Sequence, residues 1–166
     1  MLDAFQREII ELLPRLRRLA RSLTGEAADA DDLVQTGVER ALSRRDQWQP
    51  GTRLDWWIMR IMRNAFIDEV RRKGRTALSA GGEDLDHIAD PSVASVDLKI
   101  DAMALNQAMG RLPADQRLAV AMVLVEGLSY AEAAEVLEIP AGTLTSRLVR
   151  GRQALLAELG AQGVTA

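Results

Sequence analysis

Apolar residues recur at helical spacing along most of the chain. Leu2, Phe5, Ile9, Leu12, Leu16, Leu19 and Leu23 repeat in this way as far as Thr24-Gly25, which predicts a first helix that Pro14 kinks or splits. A second helix is predicted over about 27–45, with Leu33, Val34, Val38, Ala41 and Leu42 inward and Asp32, Gln35 and Glu39 on the opposite side. After a loop at "QWQPGT", the pattern resumes over about 53–73. There Leu54, Ile58, Ile61, Met62 and Ala65 share one side, and Arg53, Trp56, Arg60, Arg63, Asn64 and Arg71 share the other.

Periodicity stops at "SAGGEDLDHIADPS", where Gly, Ser, Pro and acids mix. It returns with Leu98, Met103, Leu105 and Met109, and again in "LPADQRLAVAMVLVEGLS", with Pro113 in a favourable first-turn position and Gly127 at the end. Ser129 followed by Glu132 is a capping-box signature for the next helix, which turns Ala133, Ala134 and Leu137 inward. The last helix opens at Gly142-Thr143 with Thr143 as its expected N-cap. It buries Leu144, Leu148, Leu155 and Leu159 and leaves Thr145, Ser146, Arg147 and Arg150 outside.

Composition narrows this to an all-α protein. Apolar residues reach 48% but aromatics only 4%, and Ala, Leu, Arg and Glu, the good helix formers, dominate. The chain of 166 residues divides into two small helical domains at 1–75 and 98–160, a flexible acidic linker at 76–97 and a tail at 161–166. Without cysteine it has neither disulfides nor thiolate metal sites, and His87, its one histidine, lies in the polar linker. No apolar run spans a membrane and no secretory signal opens the chain, so a cytoplasmic location is expected. Asp29, Asp31 and Asp32 in "DADD" suit the first turn of a helix better than a cation loop, so no metal or cofactor is expected.

The net charge of -3 argues against nucleic acid only until charge is counted by segment. Residues 53–75 hold seven cations against three acids, a net +4, whereas 76–101 hold six acids against one lysine, a net -5. Within 143–152 there are three arginines and no acid, on a helix placed like the second helix of a helix-turn-helix. Trp56 among arginines is the second unusual feature, because a guanidinium and an aromatic plane together hold phosphate and stack on an unpaired base. The bland reading of the first is a helical hairpin with solvated arginines, and that of the second is a packing surface with Trp56 under a loop. No nucleophile, base and orienting group occur together, so an enzyme is not expected.

Taken in order, "ADADDLVQTGVERAL", "QPGTRLDWWIMRIMRNAFIDEVRRKGR", "LPADQRLAV" and "GLSYAEAAEVLEIPAGTLTSRLVRGRQAL" closely resemble bacterial sigma factors of the extracytoplasmic-function type, over about residues 10–159. "LPRLRRLARSLTG" and "QPGTRLDWW" resemble the branch tied to general stress responses. The resemblance implies a region 2 and a region 4 and partners in core RNA polymerase, promoter DNA and an anti-sigma factor. It implies polymerase docking through Asp32, Leu33, Gln35 and Glu39. Reading and melting of the -10 element would fall to Trp48, Arg53, Trp56, Arg60, Arg63, Asn64 and Arg71, and reading of the -35 element to Thr143, Thr145, Ser146, Arg147, Arg150 and Arg152.

Three residues depart from the family pattern. Glu138 stands in the turn where Gly is usual, and positive φ would cost it roughly 1 kcal/mol, so an adjusted turn is expected. Thr145 replaces a common Lys or Arg, and Gly37 costs about 1 kcal/mol inside the docking helix. Two other readings are a sigma mimic that sequesters an anti-sigma factor without binding DNA, and a stand-alone helix-turn-helix regulator. The mimic would lack the basic faces, and the regulator would leave the first lobe without a purpose.

Overall fold

A computed structural model describes residues 1–76 and 102–161. The first lobe is α1 (Ala4–Thr24), α2 (Ala27–Ser43) and α3 (Leu54–Thr76), with a short 3-10 turn at Arg45–Gln47. The second is α4 (Ala102–Gly110), α5 (Ala114–Val120), a π turn (Ala121–Val125), α6 (Tyr130–Leu137) and α7 (Ala141–Ala161). The expected linker beyond Thr76, with His87 and Leu98, and tail residues 162–166 lie outside the described residues.

Local chemistry starts and stops these helices. Asp3 caps α1, accepting from the Gln6 N–H while the Gln6 side chain accepts from the Asp3 N–H, and Gly25 at φ 79 closes the other end. Pro14 neither splits α1 nor interrupts its span, and it faces solvent, where water can meet the carbonyl its ring leaves without a donor. α6 has the expected box, with Ser129 accepting from the Glu132 N–H and Glu132 from the Ser129 N–H. α7, however, begins at Ala141, so Thr143 is inside the helix and is not its cap. Pro140 explains the shift, since its carbonyl already accepts the Leu144 N–H and its fixed φ suits the residue before a helix. Pro113 likewise stands just before α5 and outside it.

The apolar stripes meet as expected in most places. Leu16, Leu19, Leu23, Leu54, Ile58, Met59 and Met62 fill the first lobe, and Met109, Met122, Leu144, Leu148 and Leu159 the second. Leu42, expected inward, is exposed, and so is Leu2 at the head of the first repeat. Gly37 has a structural reason: a Cβ there would stand 2.7 Å from Met62 Cγ, so glycine lets α2 approach α3. The two lobes are not separate. α4 and the π turn lie against α1, α6 lies along α3, and the buried side chains of both lobes join in one cluster.

Candidate nucleic-acid interface

The first candidate face begins where α3 begins. Arg53 donates to Asp55 through Nε (3.0 Å) and Nη2 (2.8 Å), and its guanidinium lies 4.4 Å from the centre of the Trp56 ring. Asp55 also accepts from Arg15 of α1 at 2.8 Å and from the Trp56 N–H at 2.9 Å. Burial opposes ionisation of Asp55, but the hydrogen bonds from Arg53, Arg15 and the Trp56 N–H outweigh it and hold the carboxyl below its ordinary value. The start of α3 is therefore tied to both α1 and its own indole.

Trp56 is half-buried among guanidinium and core, in contrast to the exposed indole expected from the helical pattern. Trp48 is also half-buried, with its ring 5.4 Å from that of Phe5, so the loop before α3 is anchored on α1. Farther along α3, Arg60 donates to the Glu135 carbonyl at 3.2 Å and Arg63 to the Leu137 carbonyl at 2.7 Å. Arg63 also donates to the Asn64 side chain at 2.9 Å and keeps only 16% of its side chain exposed. Arg71 remains exposed. The structure thus brings together the basic residues expected on one side of α3, but α6 lies over the middle of that side.

The second face is the start of α7, where no acid occupies the first turn and the positive end of the helix dipole is left uncompensated. Thr143, Ser146, Arg150 and Arg152 are partly exposed there. Thr145 bonds its hydroxyl back to the Ala141 carbonyl at 3.0 Å, which leaves the exposed side chain a weaker polar reader. Arg147 meets Asp115 of α5 at 3.4 Å, while Arg150 and Arg152 have no ion-pair or hydrogen-bond partner among the described residues. α7 is pressed onto α5 at Gly151, where an added Cβ would meet Val120 Cγ2 at 2.7 Å and the Gln116 carbonyl at 3.1 Å. Between the two faces lies a cleft of about 400 Å³ bordered by Arg63, Arg71, Glu138, Ile139 and Arg147.

The third face, on α2, holds Asp32, Gln35 and Glu39 in solvent, with Gln35 donating to Glu39 at 3.1 Å. Leu33, grouped with them from the sequence, is instead packed in the core at 7% exposure and reaches only the wall of a groove of about 660 Å³ between α2 and α3. That groove also contains Lys73, Phe66 and the guanidinium of Arg117 from the second lobe.

Sequence reasoning missed the residues that join the lobes. Arg15 donates at 2.6 Å to Glu126, whose side chain is fully buried just after the π turn. Arg117 donates to the Leu23 carbonyl at 2.6 Å and lies 5.5 Å from the centre of the Phe66 ring. Burial lowers its guanidinium from the ordinary value. Nothing in the spacing separates Arg15 from Arg17 or Arg18, although Glu126 is conspicuous as an acid ending the apolar run "AVAMVLV". Glu138 was noticed for its backbone, and it takes the left-handed conformation itself (φ 55, ψ 45), so the expected adjustment of the turn does not occur.

Among the described residues no helix is long and apolar enough to cross a membrane, and no group of three His, Cys, Asp or Glu is placed to hold a metal ion. Residues 9–76 match the Sigma-70 region 2 family and residues 102–155 the Sigma-70, region 4 family. The chain is 35% identical over 161 residues to the ECF RNA polymerase sigma factor EcfG of Rhodopseudomonas palustris, covering 97% of this chain and 88% of that protein. It is 40% identical over 145 residues to the ECF RNA polymerase sigma factor SigE of Mycolicibacterium smegmatis, covering 85% of this chain and 56% of that longer protein. The sigma factor RpoE of Bartonella quintana, solved in complex with the anti-sigma factor NepR, superposes with a TM-score of 0.75 at 31% identity, over 96% of this chain and 98% of that one. With a region 2 match, a region 4 match and this identity to EcfG, the chain belongs to the extracytoplasmic-function branch of the sigma-70 family, the RNA polymerase sigma factors, which are transcription initiation factors and not enzymes.

Proposed function

We propose that this sigma factor divides its work among three faces: the exposed acids of α2 dock on core RNA polymerase, the α3 face reads and opens the -10 element, and the start of α7 reads the -35 element. The observation that carries the reading is the acid-free first turn of α7 with Arg147, Arg150 and Arg152 beside it, held in place by the Gly151 contact with α5. Residues 1–75 act as region 2 and 98–160 as region 4. Each basic surface is small, so the lobes bind DNA weakly alone and polymerase supplies the effective concentration by fixing both at promoter spacing. An anti-sigma factor is the expected regulator, supported by the NepR-bound likeness of RpoE. We place the chain in the general-stress branch on the segments around Leu13–Gly25 and Gln49–Trp57, with the likeness to EcfG in support.

Run-off transcription with purified core polymerase on a promoter library tests this assignment. Wild type should give promoter-specific transcripts, and Arg147→Ala should weaken use of the -35 element by about 1 to 3 kcal/mol if the guanidinium meets a base edge. Arg60→Ala/Arg63→Ala should lose promoter opening whatever the -35 sequence. A wild-type protein that yields no such transcript yet binds a small helical partner tightly would overturn the reading in favour of a mimic.

A further inference from the structure

The face of α3 assigned to promoter opening is already occupied. α6 lies along it in the same direction: Glu132 is near enough for its charge to act on Arg53, Arg60 meets the Glu135 carbonyl, and Arg63 meets the Leu137 carbonyl. The end of a helix carries partial negative charge on carbonyls short of helical partners. The carboxylates of Glu135 and Glu138 reinforce it, 3.6 Å from Arg60 and 3.8 Å from Arg63. α6 therefore offers these two guanidiniums what a nucleic-acid backbone offers, a set of anionic oxygens at hydrogen-bonding range.

Two independent observations indicate a contact made to be broken. The first is Glu138, the one residue other than glycine at positive φ among the described residues. Glycine would adopt that backbone without strain, so the side chain is retained against a conformational cost. What it contributes here is a carboxylate facing Arg63. The second is the distribution of buried polar atoms without a partner among the described residues: Trp48 Nε1, Trp56 Nε1, Arg60 Nε, Arg63 Nε, Arg117 Nε and Glu126 Oε1. The two indoles flank the start of α3 within the first lobe, and the other four atoms belong to residues whose side chains bond across the lobes. A permanent core pairs its buried polar groups, whereas an interface that opens can leave them to water in its other state.

We infer that the C-terminal end of α6, with Glu135 and Glu138, is a built-in competitor for promoter DNA that latches the two lobes closed over Arg60 and Arg63. This rests on the assignment of the α3 face to the -10 element. In the closed form Asp32, Gln35 and Glu39 stay exposed, so core polymerase can engage it before it opens.

The chain has no cysteine, so Glu8→Cys/Gln153→Cys places one dye on an exposed site of each lobe. In the full-length labelled protein, Glu138→Gly should lower energy transfer and raise affinity for a single-stranded -10 oligonucleotide about fivefold or more, as the competent fraction rises. Its melting temperature should not fall, because glycine relieves the strained φ. Glu138→Gln, which keeps the strain and removes the charge, should open the lobes as well. Unchanged transfer and unchanged oligonucleotide affinity in both variants would overturn the latch, even if Arg60→Ala/Arg63→Ala still abolished transcripts. If transfer falls but oligonucleotide binding by Glu138→Gly is indifferent to Arg60→Ala/Arg63→Ala, the latch stands and the assignment of the α3 face fails.

Discussion

Gly37 shows how one missing carbon sets the packing of a lobe. On an exposed helix, Gly→Ala stabilises by about 1 kcal/mol. Here the new Cβ would lie 2.7 Å from the Cγ of Met62, a fully buried side chain with little room to move. Overpacking of this kind costs roughly 1 to 3 kcal/mol and should outweigh the propensity gain. Gly37→Ala is therefore expected to lower the thermal midpoint; a higher midpoint would show that Met62 steps aside freely. Gly151 is more constrained still, because one of its two close neighbours is a backbone carbonyl, and Gly151→Ala should weaken the seating of α7. From the sequence Gly37 reads only as a weak point in a helix. Glycine carries no pattern that reveals which neighbour it admits, whereas Ser129 and Glu132 were legible because both halves of a capping box lie within one turn.

At the scale of elements, three helices in the two lobes begin on a carboxylate whose ionisation is favoured. Asp3 accepts from the Gln6 N–H and then from Arg45; Glu132 accepts from the Ser129 backbone and side chain; Asp55 gains more from Arg53, Arg15 and the Trp56 N–H than burial takes away. All three are held below their ordinary values of 3.8, 4.5 and 3.8. A depressed carboxyl stabilises the fold above its unfolded value and loses that contribution as pH falls through the folded one. Stability should thus be flat in these groups between about pH 7 and 5 and decline below about pH 4, by the reference carboxyl values. Thermal melts across that range check it, and Asp55→Asn should flatten part of the decline. The helices themselves were legible because apolar spacing is a property of one segment. The π turn was not, since an uninterrupted apolar run hides where the period changes, and Pro140 sets the start of α7 ahead of the Gly-Thr signal.

The arrangement of the whole molecule was the least legible level, because the arginines that cross between lobes look in sequence like those that face solvent. Their energies differ according to exposure. Glu135 and Glu138 keep 60% of their side chains exposed, so their ion pairs are screened by salt and individually weak. Glu126 keeps none, and its pair with Arg15 at 2.6 Å persists where the α6 contacts loosen. Raising salt should therefore release α6 from α3 and lower energy transfer partway, as Glu138→Gln does, while Arg15 and Glu126 still tether the π turn to α1. Removing one partner of a buried pair costs roughly 3 to 5 kcal/mol, an upper bound here because Arg15 retains Asp55 and 28% exposure. Since the buried side chains of both lobes form one cluster, wild type should unfold in a single cooperative transition. In Glu126→Ala the lobes should uncouple, giving two calorimetric transitions and low energy transfer even at low salt. A single transition at the wild-type midpoint would mean that the apolar contacts, and not Arg15 and Glu126, join region 2 to region 4.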